Sequence, residues 1–148
     1  MTILEDGSTV LEAQMLAPLM DWLARRGQVR SEAVVATEVP WSGRWVDLAV
    51  LTGSRNALAF ELKLRHNTRA IEQAALNRRA FDRSYVVTMT RPSAANFDLA
   101  SDLGVGLILM SPSMEGLSLI LSPEARRPSP AVRRRLRDSI RLAARAGI

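Results

Sequence analysis

Segments 45–51 and 57–64 alternate apolar side chains with polar or small ones. A period of two is typical of a β-strand, because successive side chains point to opposite faces. The residues between them, Gly53-Ser54-Arg55-Asn56, have the composition of a turn. The pattern therefore predicts a β-hairpin. One face of its second strand is apolar, with Leu58, Phe60, Leu62 and Leu64, and the other carries Ala57, Ala59, Glu61 and Lys63.

An amphipathic helix is predicted before the hairpin, over residues 9–26. Ser8 or Thr9 can serve as its N-cap, and Gly27 stops it. The inward stripe is predicted to consist of Glu12, Leu16, Leu19 and Leu23. Pro18 removes one helical hydrogen bond, so we expect a kink at this position.

The remaining segments alternate between strand and helix patterns. Residues 31–39 predict a strand that Pro40 ends or bends, with a turn over 41–44. The segments after the hairpin are a helix over 67–81 capped by Asn67 or Thr68, a strand over 84–89, a helix from its cap Ser93 to about residue 102, and strands over 103–110 and 114–121. This order of elements indicates an α/β domain.

The tail, residues 123–148, differs from the rest of the chain in charge. Residues 1–122 carry 12 basic and 13 acidic side chains, whereas the tail carries 8 basic and 2 acidic ones. The whole excess of positive charge, +5 for the chain, therefore lies in the tail. A proline-rich linker over 123–130 leads into a helix from Pro130, whose apolar stripe is Val132, Leu136, Ile140 and Ala143. We therefore divide the chain into a domain, 1–122, and this tail.

The tail helix has several possible partners. Its stripe can dock on the body or on a second subunit, and its arginines suit an acidic partner, most simply nucleic acid. An anionic membrane surface also attracts basic helices, but the apolar face here has no aromatic side chain. A solvated structural helix is the plainest alternative.

Three charged residues of the hairpin favour a metal site. Glu61 and Lys63 are two residues apart and point the same way, and strand pairing can bring Asp47 beside them. Carboxylates are the hard oxygen ligands that Mg²⁺ prefers. A nearby ammonium can hold a phosphate oxygen, orient water or stabilise developing charge. The alternative is an ordinary hairpin whose charges face solvent.

Asp47, a spacer and then Glu61-x-Lys63 on adjacent strands resemble the PD-(D/E)XK nuclease superfamily, which has the restriction-endonuclease-like fold. Val46 stands where the superfamily's name has proline, a position that varies among its members. The resemblance covers most of residues 8–110. It implies an αβββαβ core, a mixed central sheet flanked by helices, to which this chain adds a basic C-terminal helix.

Two features strengthen the resemblance. Lys63 is the single lysine among 20 basic residues, so arginine has not replaced lysine at the one position where a compact charge is needed. Gln73-Ala74, on the helix after the Glu-x-Lys strand, looks like the fourth motif of resolvase-like and restriction-like members.

The resemblance also implies a third acidic residue at the metal. Similar nucleases carry a glutamate on the first helix, which points to Glu12. A glutamate just before the Asp strand often lies near the site, which points to Glu38. Each also has a plain interpretation, Glu12 as a first-turn charge favoured by the helix dipole and Glu38 as an edge-strand surface charge.

The resemblance implies a nuclease that uses Mg²⁺, with Mn²⁺ able to substitute, to hydrolyse phosphodiester bonds in DNA. Asp47 and Glu61, with Glu12 or Glu38, would hold the metal. Lys63 would position or deprotonate the attacking water, and Gln73 would support the site. The arginines expected at the nucleic-acid backbone are Arg65, Arg69, Arg78, Arg79, Arg133, Arg134, Arg137 and Arg141.

Composition removes several alternatives. The chain has no cysteine for disulfides or a thiolate zinc site, and one histidine is too few for schemes that need several. Without a signal pattern or a membrane-length apolar run, we expect a cytoplasmic protein with no membrane partner. Two rival interpretations remain: a catalytically silent nuclease-fold module that binds nucleic acid or protein, and a subunit that cuts only within a larger assembly. A self-sufficient homodimer is the alternative to such a dependent subunit.

Overall fold

The computed structural model describes residues 2–3, 9–10, 12–27, 29, 32–53 and 55–147. Two short strands, β1 (Thr2–Ile3) and β2 (Thr9–Val10), pair antiparallel at the start of the chain. A 3₁₀ turn over Glu12–Met15 then leads into α1 (Leu16–Arg25). The remaining strands all belong to one sheet.

Six strands lie in this sheet in the order in which they occur along the chain. They are β3 (Val34–Trp41), β4 (Arg44–Leu51), β5 (Ala57–Leu62), β6 (Arg83–Thr88), β7 (Gly106–Met110) and β8 (Leu117–Leu121). The strands β5, β6 and β7 pair in parallel and the other neighbours antiparallel, so the sheet is mixed. The parallel strands need crossovers, which α2 (Thr68–Asn77) and α3 (Ala94–Leu103) supply. The sheet and its flanking helices have the predicted restriction-endonuclease-like order.

The two faces of β5 pack against different helices, as its alternation predicted. Leu58, Phe60 and Leu62 share a buried cluster with Leu19 and Leu23 of α1. Ala57 and Ala59 on the other face share one with Leu136 and Ile140 of α4 (Pro130–Ala146). The helices α2 and α3 cover the second face farther along the sheet. The central strand is therefore buried on both sides.

The tail helix docks on the body of the protein. Leu136 and Ile140 are fully buried against β3 and β4, and Val132 and Ala143 pack beside them. Ser129 caps the helix by accepting a hydrogen bond from the N–H of Val132. Among the alternatives for the apolar stripe, the structure therefore selects docking on the body. No helix of the described chain is both long enough and apolar enough to span a membrane.

The first helix begins later than the sequence indicated. Thr9 lies in β2, Ser8 lies outside the described residues, and Glu12 opens a 3₁₀ turn. Because a 3₁₀ turn has 3.0 residues per turn instead of 3.6, the inward stripe cannot be extended from Leu19 back to Glu12. The buried stripe is Met15, Leu19 and Leu23, and Glu12 is exposed.

Pro18 is the third residue of α1, a position at which the reason for the predicted kink does not apply. The first N–H groups of a helix have no helical acceptor, so a proline costs little there. The helix runs on to Arg25, and Gly27 follows with a φ of 76°. The predicted stop at Gly27 is confirmed.

Pro40 neither ends nor leaves its strand. It pairs with Trp45 inside β3, which is an edge strand, and an edge position tolerates a residue without an N–H donor. The predicted turn over 41–44 is confirmed, since Trp41 pairs with Arg44 and the two central residues, Ser42 and Gly43, have φ values of 52° and 77°. Two positive values are typical of the type I′ turn that suits a tight hairpin. Ser31, the predicted start of this strand, lies outside the described residues.

The predicted caps of the later helices are confirmed. The Asn67 side chain accepts from the N–H of Ala70 at 2.7 Å, and Ser93 accepts from Asn96 at 3.1 Å. The helix α2 ends at Asn77 and not at residue 81, because the next N–H groups bond to carbonyls three residues back. This early end places Asn77 at the last turn of the helix.

Candidate active site

Asp47 marks the point where β4 and β5 separate. Their paired residues run from Leu51–Ala57 to Leu48–Phe60, and beyond that the Asp47 Oδ2 atom accepts from the Leu62 N–H at 2.8 Å. The alternation of β4 also changes phase here, since Val46 packs with α4 whereas Leu48 packs with α1. The carboxylate therefore takes the place of a backbone acceptor in the gap between the strands.

Glu61 is the buried member of a carboxyl pair. It is 4% exposed, and its carboxyl group is hydrogen-bonded to that of Asp47 and accepts from Asn77 Nδ2 at 3.0 Å. Burial, followed by the negative charge of Asp47, raises the pKa of Glu61 to about 7, against the opposing effects of Asn77 and Arg44. The predicted hairpin thus brings the two acids together, as its pairing indicated.

Two residues near the pair were missed by sequence reasoning. Arg44 Nη2 donates to Asn77 Oδ1 at 3.0 Å, and its Nη1 donates to the backbone oxygen of Gln73 at 3.3 Å. Asn77 is fully buried, on the same helix face as Ala70 and Ala74. A polar residue that continues an apolar stripe at spacings of 4 and 3 was the available signal.

Lys63 lies just beyond β5 and is half-buried. Its backbone N–H donates to the Val87 oxygen at 3.0 Å, which continues the parallel pairing of β5 with β6. Among the described residues, none forms a hydrogen bond or ion pair with its ammonium group. Gln73 lies one helical turn before Asn77 and is half-buried.

The two candidates for a third acid lie around one cavity. Glu12 and Glu38 are both exposed, and with Asp47 they line a cavity of about 220 Å³. Glu38 has a φ of 52° and interrupts the pairing of β3 with β4 opposite Asp47. Within the described chain, no three acidic or histidine side chains are grouped closely enough to hold a metal ion by themselves. Both glutamates lie around the cavity that Asp47 lines, and a third metal ligand from either of them stays a prediction.

The predicted nucleic-acid contacts fall into two groups. Arg65, Arg69, Arg79, Arg134 and Arg141 are exposed, and Arg137 is half-buried. Arg78 instead donates to the Leu103 oxygen at 2.7 Å and pairs with Glu124, and Arg133 pairs with Asp82 and donates to the Arg55 oxygen. Because protein groups occupy these two guanidinium groups, we assign Arg78 and Arg133 to the structure of the fold.

No family model matches this chain, and no curated protein matches it either. Several solved structures do match this chain. The SPO1766 protein of unknown function from Silicibacter pomeroyi has a TM-score of 0.63 and 16% identity, over 95% of this chain and 90% of its own. A repair endonuclease from Pyrococcus abyssi has a TM-score of 0.53 and 18% identity. The match covers 71% of this chain and 49% of that protein.

A third match is the structure of an EndoMS-dsDNA2 complex, with a TM-score of 0.49 and 16% identity over 71% of this chain and 47% of that one. At such identities a likeness establishes the fold alone. The chain has a nuclease-like fold, and its function has to be argued from the site.

Proposed function

We propose that this chain is a Mg²⁺-dependent nuclease that hydrolyses phosphodiester bonds in DNA, with Mn²⁺ able to substitute. The observation that carries the proposal is the pair of hydrogen-bonded carboxyl groups, Asp47 and Glu61, with Lys63 two residues farther along. The nuclease-like fold agrees with it. A fold hosts many functions, so the argument rests on these side chains.

The carboxyl pair fits a divalent cation. Glu61 keeps its proton up to a pKa of about 7, because burial and the negative charge of Asp47 disfavour its ionised form. A cation can replace that proton. Mg²⁺ is commonly bound by one or two carboxylates and keeps several waters. Since a water molecule occupies about 30 Å³, the cavity of about 220 Å³ beside Asp47 has room for them.

Each side chain has a distinct part in the proposed reaction. When bound, the cation would polarise the phosphate and lower the pKa of water. Asp47 and Glu61 would hold it, joined by Glu12 or Glu38. The Lys63 ammonium would donate to a phosphate oxygen, help to orient the attacking water and stabilise the charge that grows in the transition state. Gln73 would support the same side of the site.

The exposed arginines supply the proposed DNA contacts. Arg65 and Arg69 follow the Glu-x-Lys strand in sequence, and Arg134 and Arg141 belong to α4. Exposed guanidinium groups can neutralise backbone phosphates and release counterions. We therefore expect binding that weakens steeply with salt.

Cleavage assays with purified protein test the proposal. The substrates are single-stranded, duplex and branched DNA and RNA, each with Mg²⁺, Mn²⁺ or EDTA. We expect metal-dependent cutting that Asp47→Asn and Lys63→Met each reduce by at least about 100-fold, since each removes a charge that acts at the reacting phosphate. Glu115→Gln, which changes an exposed acid of the β7–β8 turn, is the matched control and should cut normally.

Two results would overturn the proposal. Cutting that persists in Asp47→Asn and Lys63→Met would indicate a contaminating nuclease. A folded wild-type protein that binds DNA in a salt-sensitive manner but cuts no substrate would favour the silent module or the subunit of a larger assembly.

A further inference from the structure

A chain of hydrogen bonds links the β3–β4 hairpin to the buried acid. Arg44 contacts α2 twice, through Asn77 Oδ1 at 3.0 Å and the Gln73 backbone oxygen at 3.3 Å. Asn77 in turn donates from Nδ2 to Glu61 Oε1 at 3.0 Å. Asn77 is 0% exposed, so protein groups alone satisfy both ends of its amide.

The chemistry of arginine determines which way the Asn77 amide is oriented in this chain of hydrogen bonds. A guanidinium group has donors and no acceptor, so the atom of Asn77 that faces Arg44 must be the amide oxygen. The amide nitrogen must then face Glu61. Arg44 thereby ensures that Glu61 meets a donor, which is the partner that a carboxylate oxygen needs.

The same contacts locate Asp47. Arg44 lies three residues before Asp47 on β4, and paired residues no longer hold β4 to β5 at Asp47. The two bonds from Arg44 fix this part of β4 to α2, whose last turn holds Glu61 through Asn77. Both carboxyl groups therefore depend on one bridge between the hairpin and the helix.

We infer that Arg44 and Asn77 are positioning residues that orient Glu61 and hold Asp47 beside it, so that the pair is arranged for a divalent cation before the cation binds. This inference rests on the proposed function. It assigns roles to two residues that act through the acids and do not touch the substrate.

Calorimetry with Mn²⁺ as the probe, without DNA, tests the inference. Asn77→Leu keeps the side-chain volume and removes the amide, and Arg44→Met removes the guanidinium group. We expect each to weaken Mn²⁺ binding about 10- to 100-fold, the usual effect of losing a group that orients a metal ligand. The double variant should lose less affinity than the two single losses multiplied together, because Arg44 acts partly through Asn77 and partly through the Gln73 backbone oxygen.

Two variants make the comparison specific. Lysine is also a donor without an acceptor, so Arg44→Lys should retain most of the Mn²⁺ affinity. Arg134→Met makes the same substitution as Arg44→Met at an exposed position of α4 and should bind as the wild type does. If Asn77→Leu and Arg44→Met melt at lower temperatures yet bind Mn²⁺ with wild-type affinity when folded, their role is only structural and the inference is wrong.

Amide hydrogen exchange decides the inference even if the proposed function fails. The Leu62 N–H donates to Asp47, so its protection reports where Asp47 lies in the metal-free protein. Arg44→Met should speed exchange at Leu62 by about tenfold relative to amides in the paired part of β5, as expected for a local opening. Wild-type protein that neither binds Mn²⁺ nor cuts would refute the nuclease, whereas unchanged Leu62 exchange in Arg44→Met would refute the positioning role.

Discussion

Glu61 binds its proton more tightly in the folded protein than in the unfolded chain. Burial and the charge of Asp47 raise its pKa from 4.5 to about 7, so the folded state holds more protons between these values. The contribution of Glu61 to the free energy of unfolding is therefore complete at a pH below its pKa in the unfolded chain. That contribution is lost as the pH rises through its pKa in the folded protein. At about 1.4 kcal/mol per pKa unit, the loss is on the order of 3 kcal/mol. In EDTA, the free energy of unfolding measured in urea should fall from about pH 5 to about pH 8.

Glu61→Gln isolates this contribution. Glutamine can still accept from Asn77 and can donate to Asp47, but it does not ionise, so the decline with pH should be smaller by that amount. At about pH 8 we therefore expect the variant to be more stable than the wild type and to have lost metal-dependent cutting. If the free energy of unfolding depends on pH in the same way in both proteins, the assignment of a raised pKa to Glu61 is wrong.

The sequence predicted the carboxyl pair but not the residues that hold it. Alternation placed Glu61 and Lys63 on one face, and the hairpin brought Asp47 to them, because both follow from local periodicity. The bond between Arg44 and Asn77 joins residues 33 positions apart, and no local pattern reports such a contact. Only the position of Asn77 on the apolar stripe of α2 hinted that it is buried.

At the scale of the element, two neighbouring arginines of α4 have different roles, one in the stability of the fold and one in the proposed DNA contact. The Arg133 side chain is 14% exposed and pairs with Asp82, whose side chain is 9% exposed. Arg134 is exposed. We expect Arg133→Met to lower the free energy of unfolding by about 3 kcal/mol, since it leaves a buried carboxylate without its cation. Arg134→Met should change stability by less than about 0.5 kcal/mol.

The same two variants separate stability from DNA binding. Loss of one phosphate contact reduces the slope of log affinity against log salt by about 0.9, so Arg134→Met should show this change and Arg133→Met should not. Urea unfolding and fluorescence-anisotropy titrations at several salt concentrations measure the two effects. If Arg133→Met shows a smaller salt slope and normal stability, Arg133 contacts the nucleic acid and its assignment to the fold is wrong.

The boundaries of α1 and β3 show why element ends were harder to predict than elements. The apolar spacing of α1 was real, but a 3₁₀ turn at its start breaks the 3.6-residue period, which misplaced Glu12. Pro40 was predicted to end or bend its strand because proline lacks a donor. That rule depends on whether the strand lies at an edge, which only the assembled sheet determines.

At the scale of the whole molecule, the order of elements was predictable and the place of α4 was not. All six sheet strands succeed each other with the turns and crossover helices that the sequence indicated, so the mixed sheet follows from chain order. The apolar stripe of α4 fits the body and a second subunit equally well in sequence. Its partner is settled only by the complementary surface of β3 and β4, with Ala36, Val39 and Ala49.

Because α4 completes that surface, a chain that ends at residue 122 should not fold stably. It would expose the sites of Leu136 and Ile140, each worth about 1.5–3 kcal/mol of burial, and it would leave Asp82 without Arg133. Together these losses approach the total stability of a typical domain, about 5–15 kcal/mol. Circular dichroism should show no cooperative thermal transition, whereas a full-length control with Arg134, Arg141 and Arg145 changed to glutamine should melt near the wild-type temperature, since these side chains are exposed. If the truncated chain melts cooperatively within a few degrees of the wild type, α4 is an accessory to the fold, and its role would have to be sought in its exposed arginines.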